Sequence, residues 1–104
     1  MKRFRVFYSA LAADQLEALY LYIAEDTRPA RAAGYVDAIT DYCDSLETFP
    51  HRGQRHDSIR PGLRLIGFRC RVTIAFTVED ASVIILGVFY GGQDVETALQ
   101  AEDP

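Results

Sequence analysis

Cysteine is scarce in this sequence of 104 residues, which contains Cys43, Cys70 and no others. Two cysteines form at most one disulfide bond, so the chain lacks the composition of a small secreted protein held together by disulfides. We expect both thiols to be reduced and buried, with a disulfide as the alternative. Long hydrophobic runs are also lacking, and no segment approaches the ~20 apolar residues of a membrane helix.

The N-terminal segment MKRFRVFYSALAA imitates a signal peptide, with basic residues first and alanines at its end. Its apolar stretch at residues 6–8 is too short for a signal peptide, and Arg5 precedes it directly. We therefore expect a cytoplasmic protein without a membrane partner.

Motifs of several large enzyme classes are absent: there is no G-x-S-x-G turn, no P-loop and no G-x-G-x-x-G. His51 and His56 lie in a polar segment without the closely spaced ligands of a metal site. We expect neither a metal nor a cofactor. Bases are missing from the last third of the chain, where no Lys, Arg or His follows Arg71.

Positive charge is concentrated in one segment of an otherwise acidic chain. The formal net charge is -4, yet residues 51–71 carry six arginines against one aspartate, a net charge of +5. The negative total argues against general affinity for nucleic acid or membranes, so we expect no independent nucleic-acid binding. An anionic partner must therefore be bound locally. The six arginines are Arg52, Arg55, Arg60, Arg64, Arg69 and Arg71.

Hydrophobic periodicity predicts an α+β fold with the order β-α-α-β-β-β. RFRVFYS alternates as a strand, and Ser9 caps a helix of about sixteen residues. A second helix begins near Pro29 and ends before Pro50. LRLIGFR, CRVTIAFTV and VIILGVFY then read as three strands. We predict a helical hairpin packed on one face of a largely antiparallel sheet, as a single domain over residues 1–94. We expect a tail over residues 95–104 that is either a short helix or disordered.

Two hydrophobic features remain after the helical hairpin is placed. The last strand is apolar on both sides, with Val83, Ile85 and Phe89 predicted on one face and Val88 and Tyr90 on the other. The second face needs a cover, which is either the tail through Val95 and Leu99 or a partner protein.

Three tyrosines flank the apolar stripes of the two helices: Tyr22, Tyr35 and Tyr42. They either seal the edge of the helical hairpin or contact a partner.

The arginine segment is the main chemical candidate. Arg64, Arg69 and Arg71 are predicted to project from neighbouring strands, close to Tyr90. Guanidinium groups bind phosphates and carboxylates in bidentate fashion. The arginines could therefore bind RNA phosphate during cleavage, pair with carboxylates of a protein, or remain a solvated face.

The chain resembles a known family over residues 4–94. The segments that carry the resemblance are FYSALAADQLEALYLYIAED, the helix exit Pro50-x-x-Gly53, the strand entry Gly62-Leu63-Arg64 and the ending Tyr90-Gly91-Gly92-Gln93-Asp94. In this order and spacing they are similar to the ParE branch of the RelE/ParE superfamily, the toxins of type II toxin–antitoxin modules.

The resemblance implies a toxin that inhibits DNA gyrase and is neutralised in a hetero-oligomer with a ParD-like antitoxin. It implies no catalytic residues of the chain's own. We expect a target-binding surface made of Arg60, Arg64, Arg69, Arg71 and Tyr90. We expect the antitoxin to contact Tyr22, Tyr35, Tyr42, Arg64 and Phe89.

Two alternatives remain open at this point. The first is a ribosome-dependent mRNA endonuclease of the RelE kind, which uses basic side chains on the sheet with a late Tyr, Arg or His close to the chain end. Arg64, Arg69, Arg71 and Tyr90 keep this alternative open. The absence of any base after Arg71 argues against it. The second is a non-toxic homologue that only binds its partner.

Overall fold

The computed structural model describes residues 3–102, and its elements follow the predicted order. It adds a two-residue strand, a 3₁₀ turn at Ser45–Glu47 and a C-terminal helix. None of the helices in this part of the chain is long and apolar enough to cross a membrane. The elements are β1 (Arg5–Tyr8), α1 (Ala10–Asp26), α2 (Pro29–Asp44), β2 (Gln54–Arg55), β3 (Arg64–Phe68), β4 (Val72–Glu79), β5 (Ser82–Tyr90) and α3 (Val95–Glu102).

The five strands form one sheet in the order β1-β5-β4-β3-β2. β1 pairs with β5 in parallel, and the other neighbours are antiparallel, so the predicted α+β fold is confirmed. β1 is short and covers only residues 82–85 of β5. The outer edge of β5 is therefore left without a strand partner over residues 86–90.

Helix α1 takes the place of the missing strand along this edge. The Ser9 hydroxyl donates to the Leu86 carbonyl at 2.8 Å, and the Val88 amide donates to Gln15 Oε1 at 2.6 Å. Ser9 Oγ also accepts from the Ala12 amide at 3.0 Å, which confirms the predicted N-cap. Ser9 thus caps α1 and also attaches the start of the helix to the sheet, because it is the one residue between β1 and α1.

The main core lies between the helical hairpin and one face of the sheet, here called the front face. Ile39 and Cys43 of α2 pack there against Val72, Ile74 and Phe76 of β4, whose predicted alternation is confirmed. Burial raises the pKa of the Cys43 thiol to about 12. The prediction of two buried thiols is wrong for Cys70, which is exposed in a turn.

A β-bulge changes the phase of β5. Ala75 pairs with Gly87, but Phe76 pairs with Ile85, so Leu86 is an extra residue in its strand. The side chains beyond it therefore exchange faces. Val88 and Tyr90 join the front face, and Phe89 points to the back face, opposite to the prediction. Gly87 permits this arrangement because a Cβ there would lie 2.7 Å from Cζ of the Phe89 ring.

A second, smaller core on the back face is covered by the chain's own C-terminal helix. Leu99 of α3 packs against Leu63, Ala75 and Phe89, each of them buried. Of the two covers expected for this face, the structure shows the tail, which folds back through Val95 and Leu99. Phe89 is 2 % exposed because the C-terminal helix covers its ring, and its predicted contact with the antitoxin stays a prediction. Residues 103 and 104 lie outside the described part of the chain.

Gly53 and Gly62 provide a matched test of the chain reversals around β2 and β3. Both have positive φ, 78° and 80°. A Cβ at Gly53 would overlap the Leu65 carbonyl oxygen, whereas a Cβ at Gly62 meets open space. We expect Gly53→Ala to lower the free energy of unfolding by about 3 kcal/mol and Gly62→Ala by about 1 kcal/mol. Denaturant unfolding measures both, and equal losses would contradict the steric account.

Candidate functional site

One end of the front face carries a row of aromatic side chains beneath α2. Phe68, Val72 and Tyr90 lie opposite one another across β3, β4 and β5. Tyr42 stacks on Phe68 with ring centroids 5.0 Å apart, and Tyr35 meets Tyr90 edge-to-face at 6.3 Å. The two tyrosines lie seven residues apart, about two helical turns, which places both on the same side of α2.

Tyr22 of α1 completes the aromatic group around Tyr90. Its ring centroid lies 6.1 Å from that of Tyr90, and 57 % of the residue is exposed. Tyr90 therefore lies between Tyr22 and Tyr35, one from each helix of the hairpin. Such tilted and edge-on arrangements favour well-ordered rings at a surface.

The turn between β3 and β4 brings two arginines to this aromatic group. Arg69 and Cys70 have φ of 50° and 61°, and the Arg71 amide donates to the Phe68 carbonyl at 3.4 Å. Positive φ at both central residues is typical of the tight turns that match the twist of a hairpin. The prediction that Arg69 and Arg71 belong to the strands is therefore wrong: residues 69–71 form the turn.

Contacts to neighbouring strands hold the turn in place. The Arg69 guanidinium carbon lies 5.0 Å from the centre of the Phe68 ring, a cation–π contact. The Gly91 amide donates to the Arg71 carbonyl at 2.8 Å, which ties the turn to the end of β5. We call Tyr22, Tyr35, Tyr90, Arg69 and Arg71 the tyrosine–arginine site.

The site carries two guanidinium groups, and within the described residues neither forms an ion pair with a carboxylate. Within residues 3–102 the ion pair present joins Arg55 to Asp57, at 3.1 Å, in another part of the molecule. Burial raises the pKa of the Tyr35 hydroxyl, the nearby Tyr90 raises it further, and Arg69 and Arg71 oppose the rise. Tyr35 is thus a neutral hydroxyl at physiological pH rather than an activated phenolate.

A cavity of about 340 Å³ opens beside Tyr90, between α1 and the end of β5. Its walls are mostly aliphatic and aromatic, and two glutamine side chains supply amide groups. It is large enough for one or two apolar side chains of a partner. The lining residues are Gln15, Ala18, Leu19, Tyr22, Val88, Tyr90 and Gln93.

The structure separates the predicted arginine surface into two parts. Arg64 lies at the start of β3, about 16 Å along the chain from Arg69 at an ordinary strand rise. Its guanidinium donates to the Arg52 carbonyl at 3.4 Å. Arg60 lies in the loop before β3, where its carbonyl accepts from the Leu63 amide at 3.0 Å. Neither Arg60 nor Arg64 therefore belongs to the group around Tyr90.

Tyr42 is adjacent to the site rather than part of it. It contacts Phe68, and the Arg52 guanidinium carbon lies 5.6 Å from its ring centre. The row Arg52, Tyr42, Phe68 and Arg69 thus extends the aromatic and cationic surface toward the end of α2.

Sequence reasoning missed Gln15, Gln93 and Phe68 as residues of this surface. Gln15 had a usable signal, because it shares a helix face with Leu19 and Tyr22 at spacings of four and seven residues. A polar side chain inside an apolar stripe indicates a specific hydrogen bond, here the one to the Val88 amide. Gln93 and Phe68 had no signal of this kind.

The chemistry that the site offers is recognition of an amphipathic, acidic segment. The guanidinium groups bind carboxylates or phosphates, and the cavity accepts an apolar side chain. No His, Lys or carboxylate lines the cavity within the described chain. His51 lies elsewhere, with its ring 6.2 Å from Phe4. Among the described residues no group of three His, Cys, Asp or Glu side chains is placed to hold a metal ion.

Comparison with known proteins agrees with this architecture. Among solved structures, a chain of the chromosomal ParDE TA system from P. aeruginosa superimposes with a TM-score of 0.75 at 21% sequence identity, covering 86% of this chain and 97% of that chain. This likeness establishes the shared fold. A search of curated proteins finds no match.

The sequence also matches a family model over most of its length. That model describes the ParE toxin of the type II toxin–antitoxin system, parDE, and it covers residues 6–95, from β1 to the first residue of α3. The chain therefore belongs to the ParE toxin family.

Proposed function

We propose that the protein inhibits DNA gyrase in the cytoplasm and is neutralised by a ParD-like antitoxin in a hetero-oligomer. The observation that carries this proposal is that Arg69 and Arg71 have no carboxylate partner within residues 3–102 and lie close to Tyr35, which contacts the cavity residue Tyr90. Tyrosine and arginine are the residues most enriched at the energetic centres of protein interfaces. The site therefore has the composition of a surface that binds a protein.

The antitoxin segment that fits this site is acidic and amphipathic. An apolar side chain fills the cavity between α1 and β5, and a nearby carboxylate pairs with Arg69 or Arg71. The charge pair accelerates the encounter, while the apolar contact provides most of the affinity. A disordered antitoxin tail that orders on binding suits such a surface, because it can follow the curved boundary between helices and sheet.

Binding of gyrase, rather than cleavage of RNA, is supported by the residues around Tyr90. A nuclease needs a group that transfers protons near neutral pH, in addition to cations that stabilise charge at the scissile phosphate. Within the site the cations are Arg69 and Arg71, and a guanidinium group can stabilise charge but is unsuited to proton transfer. The raised pKa of Tyr35 likewise does not suit a general base. Recognition without chemistry is the function that this set of groups supports best.

Masking provides the simplest mechanism of neutralisation. Two predicted antitoxin contacts, Tyr22 and Tyr35, touch Tyr90, a predicted target contact. An antitoxin that covers the tyrosines therefore also covers Tyr90 and the adjacent arginines. We propose that antitoxin and gyrase compete for this one surface.

Charge reversal tests the role of the arginines. We expect the double substitution Arg69→Glu and Arg71→Glu to weaken antitoxin binding by about tenfold to a hundredfold, because attraction becomes repulsion. Calorimetric titration measures the affinity, and growth after induction measures toxicity, which we expect to be lost. The matched control is Arg3→Glu with Arg5→Glu, which changes the net charge equally but lies near Ser82, at the other end of β5 from Tyr90. Equal effects of the two pairs would contradict a local site.

Two neighbouring residues of α1 test the cavity. Tyr22 and Leu21 are 57 % and 56 % exposed, but only Tyr22 lines the cavity. We expect Tyr22→Ala to weaken antitoxin binding by roughly thirtyfold and Leu21→Ala by less than about twofold, since truncation matters at the centre of an interface. The same calorimetric titration compares them. A larger loss for Leu21→Ala would place the interface on another face of α1.

A gyrase assay with the purified protein tests the target. We expect inhibited supercoiling with accumulated DNA breaks, and relief of both on addition of the antitoxin. Cleavage of translated mRNA with unimpaired gyrase would instead establish the endonuclease. Antitoxin binding with neither activity would establish a non-toxic partner-binding homologue.

A further inference from the structure

We propose that the C-terminal helix α3 sets the position of Tyr90 in the tyrosine–arginine site, with Gln93 as the positioning residue. This inference rests on the proposed function, because it assigns a role to a neighbour of the same site. It connects the back face of the sheet, where α3 docks, to the front face, where Tyr90 contacts Tyr22 and Tyr35.

The backbone of Tyr90 has a neighbouring strand on one side of the sheet only. Tyr90 is the last residue of β5, and on one side it pairs with Val72 of β4. On the other side β1 is only four residues long and ends opposite Ile85, so it does not reach Tyr90. Gln15 of α1 satisfies the Val88 amide but does not extend to the end of the strand. The Tyr90 amide therefore needs another acceptor.

Gln93 supplies that acceptor. The Tyr90 amide donates to Gln93 Oε1 at 3.0 Å, and both side chains line the cavity next to α1. A side-chain carbonyl thus replaces the main-chain carbonyl that a neighbouring strand would have provided. Gln93 is suited to this role because the chain reverses after Tyr90 and brings residue 93 back against the strand.

The position of Gln93 is fixed in turn by the start of α3. Asp94 Oδ1 accepts from the Thr97 amide at 3.1 Å, and Asp94 Oδ2 accepts from the Thr97 hydroxyl at 2.6 Å. These bonds lower the pKa of the Asp94 carboxyl and so favour its ionised form. An ionised carboxylate accepts hydrogen bonds from the first amides of a helix and caps it. The residue after Gln93 is therefore held as the N-cap of α3.

Leu99 anchors α3 to the back face directly behind the site. It is 2 % exposed and packs in the same cluster as Phe89, the residue before Tyr90. The Gly91 amide adds a bond to the Arg71 carbonyl at 2.8 Å. Docking of α3 thus fixes the turn at residues 91–93. That turn bonds to Tyr90 through Gln93 and to Arg71 through Gly91. Undocking of α3 would release one tyrosine and one arginine of the site together.

The test removes the acceptor and then restores it. In Gln93→Met the Tyr90 amide loses its partner, and we expect its hydrogen exchange in the free toxin to rise about tenfold, since a hydrogen bond of ordinary strength is lost. We expect affinity for the antitoxin to fall by about fivefold or more. Gln93→Glu keeps an acceptor oxygen and should restore slow exchange to within about twofold of the parent protein.

Two further variants separate positioning from general stability. Gly92→Ala is the control in the same turn, because a Cβ there meets open space, and we expect no change in exchange or affinity. Leu99→Ala should raise exchange at Tyr90 more than at Ile74, which is buried in the front core. Equal increases at both amides would mean global destabilisation and would overturn a specific role of α3.

The outcomes distinguish this inference from the proposed function. Unchanged Tyr90 exchange in Gln93→Met would overturn the inference whatever the toxicity of the protein. Faster exchange with unaltered antitoxin affinity would also overturn it, because Gln93 would then order only the strand end. If the parent protein bound no antitoxin, the proposed function would fail, and the exchange comparison in the free toxin would still decide the role of Gln93.

Discussion

β1 pairs with only the first half of β5. The second half pairs with β4 on one side, so the backbone groups on its outer side must obtain hydrogen bonds from other elements. Ser9 and Gln15 supply them from α1, and Gln93 supplies one from the turn before α3. The bonds of Ser9 and Gln15 place α1 against the edge of the sheet, and the bond of Gln93 fixes the turn that leads to α3 on the back face. The position of the helical hairpin, the cavity beside it and the entry into α3 therefore all follow from the shortness of one strand.

The functional surface is a consequence of the same arrangement. Where β1 has ended, α1 lies along the edge of β5, and the cavity opens between α1 and the end of that strand. The β3–β4 turn reaches this end of the sheet and adds arginines whose charges are not neutralised by the described chain. An apolar cavity beside free guanidinium groups costs folding stability, which suits a surface that a partner protein covers.

The sequence was sufficient to predict the order of elements, the Ser9 cap and the alternation of β4, because each depends on local residue spacing. It was not sufficient for β5, since the bulge at Leu86 reverses the faces of Val88, Phe89 and Tyr90 without a change in composition. The tyrosines and Arg69 were predicted as contact residues from their residue types. That they lie together around Tyr90 depends on the order of strands in the sheet, which residue spacing does not reveal. Arg64 was grouped with Arg69 because both belong to one predicted strand, whereas the structure places Arg64 at the start of β3 and Arg69 in the turn beyond its end.

The central claim is that antitoxin and gyrase bind the same end of the sheet. The most direct measurement is hydrogen exchange of the toxin by mass spectrometry, alone, with antitoxin and with gyrase. The account predicts that both partners protect overlapping peptides, which contain Tyr22, Tyr35, the turn at residues 69–71 and Tyr90. Protection by gyrase confined to the loop around Arg60 and Arg64, or to the face opposite α1 and α2, would contradict the claim of one shared surface.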